Sequence, residues 1–505
     1  MEDFGVKNCS FKEHQVLNKK FRSSIIYFLL SLLALLSFLA ISISIFSNCC
    51  NNTIVILQVF ILLILCIIPF FIEKVIEIYN LILIISLLYF IRFGIGAFYM
   101  LWHPRYFDYY IGQNYINALN NGILFVLLSF LFFLLGYYVF NYSNIVHKFL
   151  SNIINSLPKI NQFEITKKNF FIFIIFLIFI SIISDLIIFK NGAYLFLKSG
   201  TSILAIKYSY LNVLLYYLSL INAMVICILF LKYLVNNKKI FLLFTLFFLM
   251  INFIYTIPTG SKTEILLPFF LLLIIYSIRK RTPIKIILFA VLISIFFVFP
   301  FSTIYRSLHY GSIAVNIVKA SSKYLYLLSN FNMKTIQLLF FNAIALRINQ
   351  MGVVTAIVKN TPRIWNFKMG STYMQFFISL IPRILWHSKP IIGVNGNMFG
   401  RNYGILRVND HQTTVGITWI GEMFINFGWF GIIIAFLWGL LYKIIYIYFF
   451  KDGMPNMLGT LIYSFTLYFL IIDNTFVFMF SGLLKFYIFL FFIFLFFKRR
   501  SAETR

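Results

Sequence analysis

Acidic side chains are scarce in this sequence: 14 Asp and Glu stand against 42 Lys and Arg in 505 residues, and charged residues of both signs make up only 11%. With 61% hydrophobic and 20% aromatic residues there is too little polar surface to cover a water-soluble globule, so a soluble fold is excluded. Cysteine is also sparse. Cys9, Cys49, Cys50, Cys66 and Cys227 lack ligand spacing, which excludes a disulfide framework and a zinc site. A pI of 9.8 and a net charge of +28 would suit nucleic acid, but no nucleic-acid module is present and the charge is spread over short connecting segments, so no such partner is expected. Pro258-Thr-Gly-Ser-Lys-Thr-Glu264 lacks Walker spacing and is not a nucleotide loop. No internal repeat of the kind common in secondary transporters is evident. No cleavable signal is read at the N-terminus, because the first apolar run is longer than a signal core.

What fills the chain is apolar runs long enough to cross a ~30 Å hydrocarbon core. They fall near residues 24–46, 53–72, 78–100, 122–140, 169–189, 211–231, 240–257, 265–278, 286–304, 425–449, 457–473 and 476–497. The eighth is short and needs residues of the preceding 258–264 turn to complete a crossing. The reading is an all-α polytopic membrane protein of about twelve transmembrane helices with one large extracytoplasmic loop. Residues 1–304 form a bundle of nine spans, 305–412 the loop, and 413–505 the last three spans with a basic tail. An even number of spans puts both ends on one side. Counting basic residues in the short connections gives twenty-three on that side against five on the other, so both termini are expected in the cytoplasm of a bacterial inner membrane.

The loop is where charge accumulates. Arg306, Lys319, Lys323, Lys334, Arg347, Lys359, Arg363, Lys368, Arg383, Lys389, Arg401 and Arg407 face a single acid, Asp410. Basic residues are sparse on the far side of a membrane, so this excess asks for an anionic partner, and a lipid pyrophosphate is the natural candidate. Guanidinium forks suit its diffuse charge, and at about 4 Å and an effective dielectric near 20 each contact is worth roughly 4 kcal/mol before desolvation. The competing reading is a solvated basic face that attracts anionic lipid. Two runs inside the loop, 336–348 and 373–385, are expected to be amphipathic helices on or dipping into the outer interface. The stretch 381–404, with its prolines, Trp386 and clustered glycines, is expected to be a shaped turn. Trp386 either stacks on a sugar or anchors at the interface.

Beyond the loop, Glu422 begins an apolar run, where a carboxylate is costly unless it pairs with a base or gains a proton. Either Glu422 or His411 would serve as a general base toward a sugar hydroxyl, against the plainer readings of a buried ion pair and a surface histidine. Lys262 would line the same cavity from the 258–264 turn, or merely cap a helix break. Arg92 and Asp185 sit inside spans and are read as structural pairings or substrate contacts. Gly421, Gly428, Gly431 and Gly439 are read as sites of close helix packing.

The twelve-span layout, the late basic loop, Ile381-Pro-Arg-Ile-Leu-Trp-His-Ser-Lys-Pro390, Gly421-Glu-Met-Phe-Ile-Asn-Phe-Gly-Trp-Phe-Gly431 and the Gly260-Ser-Lys turn resemble the Wzy-type polymerases of O-antigen and oligosaccharide repeat units. The resemblance implies a GT-C-like bundle that polymerises undecaprenyl-pyrophosphate-linked oligosaccharides into surface polysaccharide at the outer face of the inner membrane. It implies no cofactor and no metal, and makes a chain-length regulator protein a candidate partner beside the bilayer. The Arg-to-Gly spacing of eleven found in loops of some members is absent here. On this reading Glu422 or His411 is the base, Arg383 and Arg401 stabilise the departing pyrophosphate, and Arg347, Arg363, Lys389, Arg306, Trp386 and Lys262 bind substrate. The alternatives are an O-antigen ligase-like transferase and a flippase or exporter of the lipid-linked unit. An exporter would hold its charges in a midplane cavity rather than in a loop of 108 residues.

Overall fold

The computed structural model describes residues 50–73, 76–104, 111–112, 115–157, 172, 174–183, 209–256, 262–280, 284–307, 313–329, 349–381, 386, 388–390, 396–410, 415–451, 453–472 and 474–497. Every regular element among them is helical, as expected of apolar runs that must satisfy their own backbone. The helices are α1 (Cys50–Ile72), α2 (Leu81–Trp102, with a π-helical stretch Phe90–Ile95), α3 (Tyr115–Tyr142), α4 (Asn144–Ser156), α5 (Ile174–Ile183), α6 (Ser209–Asn236), α7 (Lys239–Thr256) and α8 (Lys262–Arg279). Then come α9 (Ile284–Ile293), α10 (Phe299–Ser307), α11 (Ile313–Ser329), α12 (Met351–Asn360), α13 (Ser371–Leu380), α14 (Gly396–Asn402), α15 (Trp419–Phe427), α16 (Gly431–Phe450), α17 (Met457–Ile471) and α18 (Phe476–Phe497).

By length and composition, five helices among the described residues can cross a membrane: Asn52–Ile72, Leu81–Trp102, Tyr115–Phe140, Lys285–Ser302 and Trp419–Phe450. Other expected spans appear as shorter apolar helices, and the first, at 24–46, lies outside the described residues. For the eighth run, α8 starts at Lys262, within the preceding turn, and its apolar part counts among those shorter helices. The tenth differs from expectation. Its helix begins at Trp419, six residues early, and breaks at a single 3-10 turn, Gly428–Phe430, where Gly428 has φ +56°, a conformation that favours glycine.

Two apolar clusters form the core. One gathers α1, α2, α3, α12, α15 and α16; the other gathers α5, α6, α8, α17 and α18. Among the described residues the closest backbone approach at a glycine is between α3 and α16. A Cβ on Gly136 would lie 2.0 Å from the Phe436 carbonyl oxygen, and one on Gly439 would lie 2.0 Å from that of Phe133. Without a hydrophobic drive between helices in lipid, such backbone-to-backbone contact supplies the dispersion energy that holds them together.

Part of the large loop is core rather than surface. In α12, Met351, Val354, Ala356 and Ile357 are fully buried, fitted against Gly96 of α2, Gly122 of α3 and Gly421 of α15. Its ten residues are too few to have stood out as a span. The 336–348 run lies outside the described residues. At the far end of the bundle, Glu73 accepts from Tyr138 (3.3 Å) and Asn80 (3.2 Å), and Arg279 donates to Thr460 (2.8 Å). Lys443 there lies 4.6 Å from the centre of the Tyr137 ring.

Candidate functional site

Glu422 is the most constrained ionisable residue of the predicted set. It sits in the first turn of α15, whose start is set by Thr418, an N-cap that accepts from the Gly421 N–H at 3.0 Å. The side chain is 1% exposed. One oxygen accepts from the Thr372 hydroxyl at 2.7 Å and the other from the Phe476 N–H at 2.6 Å. Thr372 is in the first turn of α13 and Phe476 opens α18, so the N-termini of three helices meet at one carboxylate. Each brings partial positive charge. Sequence reasoning offered a basic partner or a bound proton as relief for this acid. Among the described residues no cation touches it, and the Thr372 and Phe476 donors come from the N-terminal turns of α13 and α18.

Asn426 completes the node. One turn after Glu422, its Nδ2 donates to Thr372 Oγ1 (2.7 Å) and to the Glu422 carbonyl (2.8 Å), while its Oδ1 accepts from the Gly370 N–H (3.0 Å). The Lys368 and Met369 N–H groups donate to the carbonyls of Ile425 and Asn426. The chain between α12 and α13 is thereby stitched along α15. Gly370, at φ +83°, makes the turn into α13. Thr372 and Asn426 were not singled out from sequence, although a polar residue four positions after Glu422 inside an apolar helix was a legible signal.

Arg92 acts on the same turn from the other side. Its Nη2 donates to the Ile471 carbonyl at 3.1 Å, at the end of α17, while Tyr442 donates to the Leu470 carbonyl at 3.0 Å. A cation therefore stands at a helix C-terminus and an anion at the N-terminus of the next helix, each matched to the local dipole. Beneath them lies a cavity of about 20 Å³, room for a water, lined by Tyr89, Arg92, Phe133, Trp419 and Tyr442. Replacing Arg92 with Met should strip these C-terminal carbonyls of a donor and cost about 1.5–3 kcal/mol, read as a lower unfolding temperature in detergent. An unchanged transition would show that the guanidinium holds nothing there.

The other predicted residues are distributed over the loop. Lys389 is buried, donating from Nζ to the carbonyls of Ile381 (2.6 Å) and Ser379 (3.2 Å) at the end of α13. Arg401 is half-buried and donates from Nε to Asn397 Oδ1 at 3.0 Å; Asn397 in turn donates to the Asp410 carbonyl at 2.8 Å. α14, where a turn was expected, packs Phe399 on Trp365, and Tyr403 just after it meets the same ring. Tyr403 bonds Thr361 at 2.7 Å, and burial pushes its phenol up in pKa while that hydrogen bond pulls it down. Arg363, Lys368 and Arg407 are exposed, with Lys368 5.0 Å from the Trp365 ring centre. Trp386 is half-buried and donates to Ser388 at 3.1 Å. Lys262 lies elsewhere, 4.7 Å from the Phe299 ring centre. Arg306 lies in the last turn of α10 but its side chain, like Arg347, Arg383, His411 and Asp185, lies outside the described residues. The described part thus brings together Glu422, Thr372, Asn426 and α13, with Lys389 at the far end of α13. It does not bring any described basic side chain onto Glu422.

Among the described residues no group of three His, Cys, Asp or Glu side chains gathers as a metal site would require. No curated protein and no solved structure matches the chain. Residues 136–502, well over half of the sequence and including the whole loop with the Glu422 node, match the family described as Domain of unknown function (DUF8712), and the chain belongs to that family.

Proposed function

We propose that this protein is a membrane glycosyltransferase that polymerises undecaprenyl-pyrophosphate-linked oligosaccharide repeat units at the outer face of a bacterial inner membrane. The observation that carries the reading is the basic segment between α10 and α15, whose described part folds back onto one end of the bundle and leaves Arg363, Lys368 and Arg407 exposed there. An anionic, lipid-borne donor suits such a surface, and departure of a pyrophosphate from a sugar develops negative charge that fixed cations stabilise. The loop end is taken as the outer one because Lys148 of α4, Arg279 at the end of α8 and Lys451 just after α16 gather at the opposite end, where basic residues favour the cytoplasm. In this role Arg383 and Arg401 receive the leaving group, and Glu422 or His411 removes the proton of the attacking hydroxyl.

Alanine at Arg383 or Arg401 should abolish long-chain polysaccharide while single lipid-linked units accumulate outside, as seen on glycan ladders. Lysine at either position should fail to restore chains if the fork geometry is needed. Normal ladders in both alanine variants would remove these arginines from the reaction.

A further inference from the structure

The short helix α13, Ser-Thr-Tyr-Met-Gln-Phe-Phe-Ile-Ser-Leu, is built inside out. Its two buried residues are Thr372 and Ser379, and the buried Lys389 ammonium caps its end from the inner side. After Ser371 at its start, its exposed residues are Met374 (63% exposed) and Phe377 (62%), with Ile381 just beyond. The Tyr373 hydroxyl is also buried, without a hydrogen-bond partner, while its ring stacks on Phe427 and meets Phe476 edge-on. The sequence led us to expect an amphipathic helix lying on or dipping into the outer interface, and a helix resting on water turns its polar side chains outward. α13 does the reverse, which in water would both desolvate polar groups and expose apolar ones.

We propose that α13 lies within the hydrocarbon of the bilayer, that lipid chains are the partner of its outer face, and that Glu422 is reached from the bilayer rather than from water. The outward face of α13 adjoins α18, on which Phe478 is likewise exposed, and α16 presents Ile433 and Leu437 on its own exposed side. In lipid, polar groups turned toward the protein and apolar groups turned toward the chains is the stable order. Thr372 stands between Glu422 and that face, so the wall separating the carboxylate from the membrane is one helix thick. The inference does not depend on glycosyl transfer, and either reading survives failure of the other.

The full chain in phosphatidylcholine nanodiscs is treated with lipid-soluble dicyclohexylcarbodiimide or with a charged, water-soluble carbodiimide, and adducts are mapped by peptide mass spectrometry. Glu422 should be modified by the first reagent and on the order of a hundredfold less by the second, the penalty for carrying charge to membrane depth. Glu422→Gln should carry no adduct at this site. A nitroxide on Phe377→Cys should be relaxed more strongly by oxygen than by an aqueous nickel chelate. Modification of Glu422 by neither reagent, or preferentially by the water-soluble one, overturns the route through the bilayer. Stronger relaxation by nickel overturns the immersion of α13.

Discussion

Glu422→Ala should be among the most damaging single substitutions in this protein, costing about 3 kcal/mol or more, because two hydrogen bonds to a carboxylate are each worth about 1.5–3 kcal/mol. The reason is convergence. The carboxylate accepts from Thr372 in α13 and from the first N–H of α18, and it sits in the first turn of α15. Its removal leaves three helix N-termini facing one another with no anion between them. Gln at the same position keeps one acceptor but points an amide toward either Thr372 or Phe476. The Thr372 hydroxyl already accepts from Asn426, so it has little freedom to turn, and roughly half of the loss should remain. Thr372→Val removes one of the same bonds. Combined with Glu422→Gln it should therefore cost less than the sum of the two singles, the signature of a shared network. Unfolding temperature in detergent reads all four proteins. A Glu422→Ala variant as stable as its parent would mean that the node carries no load.

Gly439→Val is expected to separate α3 from α16 and to lose folded protein outright. An ideal Cβ at Gly439 would sit 2.0 Å from the Phe133 carbonyl oxygen and 2.7 Å from the Tyr137 nitrogen, and both are backbone atoms that no rotamer change can move aside. Overpacking typically costs about 1–3 kcal/mol where side chains give way, and a backbone clash belongs at or above the top of that range. Gly136 faces Phe436 across the same seam with the same 2.0 Å approach. Once the helices have been pushed apart by Gly439→Ala, adding Gly136→Ala should cost less than it does alone. Size-exclusion recovery of monodisperse protein tests the first expectation and unfolding temperatures the second. Full recovery of Gly439→Val would show that the seam tolerates a gap.

The sequence made some of this legible because it acts through local chemistry. Hydrophobic run length located α1 and α2, and the C-terminal ends of α3 and α16, to within about three residues, since a chain in lipid has no other way to satisfy its backbone. The reading of Gly421, Gly431 and Gly439 as packing positions matches the close atoms around each of them. Glu422 was recognised because an acid beside an apolar run is expensive. Which groups hydrogen-bond to it was not legible, because that depends on Phe476, 54 positions further along the chain, and on Thr372, 50 positions earlier.

By itself, then, the sequence determined an all-helical membrane class, the approximate places of its long helices, and a strongly basic stretch with an acid at its edge. Tertiary structure alone decided that α12 is core, that α13 turns its polar residues inward, and that Arg92 and Glu422 serve opposite helix ends on either side of one turn. The physical reason is range. Backbone satisfaction and hydrophobicity are summed over neighbouring residues and can be read along a line. The compensation of a buried charge depends on which distant helix ends meet it, and no run of residues records that.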